Sequence, residues 1–87
     1  MDCFFVFILS DHERALMHTG LTHDLQRLRR SAGQTHAASA RVVYYELSHD
    51  PDSAMRRVRQ IRSLRRVRRK ALVCSMNPQW DDLTAKW

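Results

Sequence analysis

Residues 56–70 concentrate the positive charge of this chain. This segment contains nine of the fifteen basic side chains and no acidic one, whereas the remainder carries six bases against nine acids and a net charge of −3. Arginine guanidinium groups match phosphate oxygens in a planar, two-point geometry. So dense a cationic segment favours contact with a polyanion such as a nucleic acid.

Eight basic side chains of this segment are predicted to contact nucleic-acid phosphates. They are Arg56, Arg59, Arg62, Arg65, Arg66, Arg68, Arg69 and Lys70. The alternative is a solvated helix face, but surface helices usually interleave charges of both signs, and the like charges here repel one another. The segment has no base-reading motif such as a zinc finger, so we expect contacts to phosphates rather than sequence recognition.

The spacing of apolar residues predicts that two helices carry this charge. These residues recur every three positions, at Met55, Val58, Ile61, Leu64 and Val67. At about 100° per residue each step falls about 60° short of a full turn, so one straight helix cannot bury them all. We therefore expect a bend or break near Arg62–Arg65.

The ends of these two helices are marked by capping residues and prolines. Asp50 or Asp52 can cap the first helix, and Pro51 is tolerated in its first turn. Because the residue before a proline avoids helical geometry, the second helix is expected to end at Asn77, before Pro78.

The N-terminal part predicts a hairpin of two strands. Residues 3–9 form an unbroken apolar run, typical of a strand buried on both faces. A polar turn over 10–13 leads to a second strand over 14–19, which Gly20 is expected to end. An acid precedes the apolar run, which is too short to span a membrane, so we expect a cytoplasmic protein with no membrane partner.

A helix, a loop and a third strand follow the hairpin. One apolar stripe is spaced by three and four residues, at Leu25, Leu28 and Ala32. Gly33 is a typical helix stop, residues 34–40 are small and polar as in a loop, and residues 41–47 predict a strand. The order β-β-α-β-α-α predicts one α+β domain over residues 1–87, with a small, mainly antiparallel three-stranded sheet flanked by three helices.

The cysteines and histidines predict no metal site. Cys3 and Cys74 lie far apart in sequence and form no CxxC motif, so we expect buried, reduced thiols. The histidines outside the second strand fall in turns or loops without the spacing of zinc ligands.

Five stretches of the chain resemble the GIY-YIG endonuclease superfamily, especially its small standalone bacterial members, which are related to the N-terminal nuclease domain of the bacterial excinuclease. Residues 5–9 (FVFIL) resemble YVYIL, residues 16–25 (LMHTGLTHDL) resemble LYVGVTNDL, and residues 43–46 (VYYE) resemble part of LVYYE. Residues 57–62 (RVRQIR) resemble REKQIK. The most specific stretch, residues 76–83 (MNPQWDDL), is close to MNPEWRDL.

This resemblance implies a metal-assisted hydrolysis whose residues are mostly missing here. In the family, two tyrosines position or deprotonate water, an arginine contacts the scissile phosphate and a glutamate holds a divalent metal. The tyrosine positions hold Phe7 and His18 in this chain, and the arginine position holds Leu28, with Arg27 beside it. Val58 replaces the glutamate and cannot bind Mg²⁺, which requires oxygen ligands.

Three functions follow from these observations. The first is a GIY-YIG-like domain that binds nucleic acid, expected to be DNA, with a degenerate active site and weak or lost endonuclease activity. The second is an active endonuclease that uses Mg²⁺ or Mn²⁺, with His18 as general base and Arg27 at the phosphate. The third is a protein-interaction module that binds an acidic partner. Phe7 and Val58 are expected in the core, and Trp80 is expected to pack against the sheet.

Overall fold

The computed structural model describes residues 3–11, 15–35 and 40–85 of the chain. These residues contain three strands and three helices. Their order is β1 (Phe4–Ser10), β2 (Leu16–Thr22), α1 (Leu25–Thr35), β3 (Arg41–Ser48), α2 (Pro51–Ser63) and α3 (Arg66–Met76). The predicted order β-β-α-β-α-α is confirmed.

The three strands form one antiparallel sheet in the order β2-β1-β3. The central position of β1 follows from its composition, because a strand that is apolar on both faces can be covered on both sides. Val6 to Ser10 are all buried. Phe7 lies opposite Gly20 of β2 and opposite Tyr45 of β3. The predicted doubly buried first strand is therefore confirmed.

Each face of the sheet covers its own small core, because successive side chains of a strand point to opposite faces. The core beneath α2 and α3 includes Val6, Ile8, Val58, Ile61 and Val73. The core beneath α1 consists of Phe7, Leu9, Leu25, Ala40 and Val42, with Leu28 packed against it. The sheet thus separates α1 from the two basic helices.

The start of α2 and the break before α3 agree with the predictions. The Asp50 carboxylate accepts hydrogen bonds from the backbone N–H groups of Asp52 (3.3 Å) and Ser53 (3.1 Å), so it caps the helix, and Pro51 is its first residue. Leu64 and Arg65 have extended backbone and separate the two helices. The predicted bend is confirmed.

The predicted bounds of the second strand were wrong. It runs over Leu16–Thr22, so Gly20 lies inside it and does not end it. A Cβ atom at residue 20 would lie 3.1 Å from Cζ of Phe7 and 3.0 Å from Nε2 of His18. Glycine here leaves room for the Phe7 ring, which is a packing role that glycine often has within strands.

The predicted end of the first helix was also wrong. Helix α1 continues through Gly33 to Thr35, so residues 34 and 35 belong to the helix rather than to the predicted loop. A glycine inside a helix costs only about 1 kcal/mol relative to alanine, which a packed helix can tolerate. Residues 36–39 of the predicted loop lie outside the described part of the chain.

The segment after α3 folds back onto the edge of β3. Asn77 ends α3, as predicted, and its side-chain amide donates to the carbonyl oxygens of Val43 (3.1 Å) and Asp81 (2.8 Å). The backbone N–H of Leu83 donates to the carbonyl of Val42 (2.8 Å). Residues 76–83, the stretch most similar to the GIY-YIG proteins, therefore have a structural role here.

Trp80 packs into the core beneath α2 and α3, as predicted. It is 3% exposed and has a φ angle of 57°, a left-handed conformation that is uncommon for a large side chain. Its backbone N–H donates to the carbonyl of Asn77 (3.0 Å), and its indole N–H donates to Sγ of Cys74 (3.3 Å). Packing and hydrogen bonding together hold this strained conformation.

Candidate nucleic-acid interface

Helix α2 turns its arginines in three directions. Ala54, Val58 and Ile61 follow one another at helical spacing and face the sheet. Arg56 and Arg59 lie on the opposite side of the helix and are exposed. The two remaining arginines of α2 project from its flanks, where each contacts a different edge strand of the sheet.

Arg57 forms an ion pair with Glu46 of β3. Its Nε lies 2.9 Å from each Glu46 carboxylate oxygen, and its Nη2 donates to Oε2 at 2.7 Å. The third nitrogen, Nη1, donates to Oε1 of Gln60 at 2.8 Å. The Tyr44 hydroxyl donates a hydrogen bond to the same carboxylate. All three guanidinium nitrogens of Arg57 are therefore engaged within the fold.

This cluster shifts the pKa values of its two acids in opposite directions. Burial would raise the pKa of Glu46, but hydrogen bonds from Arg57 and Tyr44 lower it further than burial raises it, so the net pKa is below the ordinary value. Burial, together with the hydrogen bond to Glu46, raises the pKa of Tyr44 to about 12. The carboxylate is thus charged, and the phenol neutral, over the whole physiological range.

Arg62 contacts the other edge of the sheet. Its Nε and Nη2 donate to the carbonyl oxygen of Thr19 in β2, at 3.0 and 2.7 Å. An edge strand exposes backbone carbonyls that lack a partner strand, and Arg62 satisfies one of them. The phosphate contact predicted for Arg62 therefore has fewer donors available than the sequence suggested.

Six basic side chains of this region are exposed and stay outside such bonds. Within the described residues, no hydrogen bond or ion pair engages the side chains of Arg56, Arg59, Arg65, Arg66, Arg68 and Lys70. We call these six residues the cationic ridge. Arg69 differs from them, because it is half-buried and its Nε is buried without a hydrogen-bond partner in the described part of the chain.

The apolar residues of the predicted stripe divide as their drift requires. Val58 and Ile61 are buried, whereas Met55 is 41% exposed and Val67 is 79% exposed. Val67 therefore lies at the surface, between neighbours that belong to the cationic ridge. A three-residue repeat cannot keep all its members on one face of a helix.

The residues at the family's catalytic positions do not form one site. Phe7 and Val58 are each 2% exposed, as expected for core residues, and they lie in the two different cores on opposite faces of the sheet. Leu28 packs beside Phe7 in the core beneath α1. Neither Phe7 nor Val58 has a polar group that could act on water or a metal.

The two candidate catalytic residues lie on separate elements. His18 is exposed on β2, and its ring centroid lies 5.8 Å from that of Phe7. Arg27 is exposed in the first turn of α1, where its backbone N–H donates to the Asp24 carboxylate at 3.1 Å. Their role in catalysis stays a prediction.

The cysteines are free, but one prediction about them was wrong. Cys3 is half-buried, with Sγ 3.6 Å from Nδ1 of His49, whereas Cys74 is exposed rather than buried. Cys74 lies on the outer side of α3, a helix whose buried side reduces to Val73 among the described residues. In the same part of the chain, no group of three or more His, Cys, Asp or Glu side chains is placed to hold a metal ion.

Helices long and apolar enough to cross a membrane are absent from residues 3–11, 15–35 and 40–85. No protein-family model and no curated protein matches the sequence. Among solved structures, the chain is similar to a UPF0213 protein from Bacillus halodurans, determined in solution by NMR. The two agree with a TM-score of 0.63 over 94% of each chain, at 22% sequence identity. UPF0213 is a GIY-YIG-like family, so this likeness shows that the chain has a GIY-YIG-like fold.

Proposed function

We propose that this protein is a GIY-YIG-like domain that binds nucleic acid, in the first instance DNA, through the cationic ridge, and that its endonuclease activity is weak or lost. The observation that carries the proposal is the division of the basic side chains on α2 and α3. Arg57 and Arg62 are bonded within the fold, whereas the six ridge residues are exposed and without such bonds among the described residues. A purely structural role would not require these six charges.

The ridge carries an electrostatic cost that a polyanion relieves. Like charges on neighbouring turns of a helix destabilise it, and no acidic side chain lies between residues 56 and 70 to offset them. Phosphates bound along the ridge would neutralise these charges and release counterions from the nucleic acid. If four ridge residues reach phosphates, the logarithm of the affinity should fall with the logarithm of salt concentration at a slope of about −3.6.

The loss of hydrolysis follows from the side chains at the family's catalytic positions. Removing one group that stabilises charge in the transition state often costs about 10²–10³ in rate. Here Phe7 replaces a tyrosine and Val58 replaces the metal-binding glutamate, and both side chains are part of the cores. The combined loss should exceed that of either replacement alone.

Two assays on the purified protein test this proposal. Fluorescence anisotropy with a fluorescein-labelled oligonucleotide in about 20–50 mM salt, concentrations of the order at which phosphate contacts are strong, measures binding. Incubation with supercoiled plasmid and Mg²⁺ or Mn²⁺ measures strand cleavage. We expect salt-sensitive binding and no metal-dependent nicking above background.

The same assays identify the competing functions. Metal-dependent nicking that is lost in His18→Ala or Arg27→Ala would show that the protein is an active endonuclease with a rearranged site. Absence of nucleic-acid binding at low salt would contradict the proposal and leave an acidic protein as the partner of the ridge.

A further inference from the structure

A groove of about 400 Å³ runs beside the cationic ridge, along one side of α3. It is lined by Arg57, Leu64, Arg68, Ala71, Leu72 and Ser75. The last four follow the spacing i, i+3, i+4 and i+7, so they form a single face of the helix. The groove has the volume of a site for a small ligand, at the lower end of the usual range.

Arg57 can offer a ligand in this groove little besides the flat face of its guanidinium group. Each of its three nitrogens already donates a hydrogen bond, to Glu46 or to Gln60. These bonds also fix the plane of the group, because Tyr44 holds the Glu46 carboxylate from its other side. A fixed guanidinium plane without free donors suits stacking on a planar aromatic ring better than binding a phosphate.

The remaining lining residues divide into an apolar part and a charged end. Leu64, Ala71 and Leu72 supply apolar surface. Arg68 belongs to the cationic ridge and has no hydrogen-bond partner within the described residues, so its donors are available to an anion. The Ser75 hydroxyl donates to the carbonyl of Leu72 at 2.6 Å and keeps its lone pairs as acceptors.

We infer that this groove holds one unpaired nucleotide of a single-stranded nucleic acid, with its base against Arg57 and the apolar residues and its phosphate on Arg68. This inference rests on the proposed function and adds a preference to it. A base within a duplex reaches such a groove only after it has been unpaired and unstacked, which costs free energy. Single strands should therefore bind more tightly than duplexes of the same length.

The test compares two substitutions on α3 that leave the charge unchanged. Ala71→Phe fills the groove, whereas Val67→Phe places the same ring on the exposed surface next to the ridge and serves as the control. The probes are a fluorescein-labelled single-stranded 12-mer and a duplex of the same sequence. We expect Ala71→Phe to weaken single-strand binding about tenfold, the loss typical of one stacked base, and to leave duplex binding unchanged. Val67→Phe should change neither.

A third probe tests the wild-type protein without any substitution. A single strand of the same length with abasic sites keeps the phosphates but lacks the bases, and it should bind about tenfold more weakly than the intact strand. Equal binding of intact and abasic strands, or equal losses of single-strand and duplex binding in Ala71→Phe, would overturn the groove site alone. Failure of every probe to bind at low salt would overturn the proposed function and the groove site with it.

Discussion

Arg57 and Arg59 lie two residues apart on α2, yet they belong to different parts of the molecule. Arg57 is bonded through all three guanidinium nitrogens to Glu46 and Gln60, whereas Arg59 is exposed on the side of the helix away from the sheet. The same chemical group therefore stabilises the fold at one position and is available to a ligand at the other. A count of arginines measures the charge of the segment but does not separate these two roles.

The contrast extends along the whole basic segment. Arg62 resembles Arg57, because two of its nitrogens donate to the carbonyl of Thr19. The cationic ridge resembles Arg59. Substitutions within the first group should mainly change stability, and substitutions within the second should mainly change binding.

The largest effect is expected when three ridge residues that do not line the groove are neutralised together. The variant Arg65→Gln, Arg66→Gln and Lys70→Gln removes three exposed charges without removing a side-chain hydrogen bond to any described residue. Nucleic-acid affinity at low salt should fall on the order of 100-fold, because charge-assisted contacts to phosphates are lost. Anisotropy titrations measure this loss. Arg30→Gln, an exposed arginine on α1, is the control, and a similar loss there would show that total charge rather than the ridge determines binding.

A smaller effect, on stability rather than binding, is expected at Arg57. Arg57→Ala leaves the half-buried Glu46 carboxylate without its ion-pair partner and should reduce the free energy of unfolding by about 2 kcal/mol. Arg59→Ala removes only an exposed side chain and should change it by less than about 0.5 kcal/mol. Urea unfolding of both variants measures the difference. Equal destabilisation would contradict the distinction between the two positions.

The contribution of the Arg57–Glu46 pair should also depend on pH. Because the pKa of Glu46 is lower in the folded protein than its ordinary value of 4.5, the pair stabilises the fold above that pH, and this stabilisation is lost as the pH falls through the folded pKa. The difference in unfolding free energy between the wild type and Arg57→Ala should therefore be constant near neutral pH and should shrink below about pH 4.5. A difference that stays constant down to about pH 3 would show that lost packing, not lost charge pairing, explains the destabilisation.

The smallest of these effects is expected at Arg62. Arg62→Ala leaves the Thr19 carbonyl without its donor, but water can reach this edge of the sheet, so the loss should be about 1 kcal/mol. Urea unfolding measures it against Arg59→Ala as the control. A change as small as that of the control would move Arg62 from the structural group to the binding group.

The features that could be predicted from the sequence are those set by local chemistry and periodicity. The cap formed by Asp50, the break near Leu64 and the doubly buried first strand follow from one residue or one repeat. These local signals, taken in order, also determine the antiparallel sheet with its three helices.

The features that the sequence did not reveal depend on neighbours distant in the chain. Gly20 seemed to end a strand because its packing against Phe7 of the adjacent strand is not visible locally. Helix α1 continues through Gly33 because a single glycine weakens a packed helix only slightly. The pairing of Arg57 with Glu46 spans eleven residues and two elements, so the charge of the segment alone could not show that this arginine is engaged.

The salt dependence of nucleic-acid affinity tests the cationic ridge most directly. Titrations of the wild type and of the triple variant Arg65→Gln, Arg66→Gln and Lys70→Gln from about 50 to 200 mM salt yield the slope of log affinity against log salt concentration. For four phosphate contacts the wild-type slope should be about −3.6, and for the single contact that remains the slope of the variant should be about −1. A wild-type slope near zero, or the same slope for both proteins, would contradict phosphate binding by the ridge.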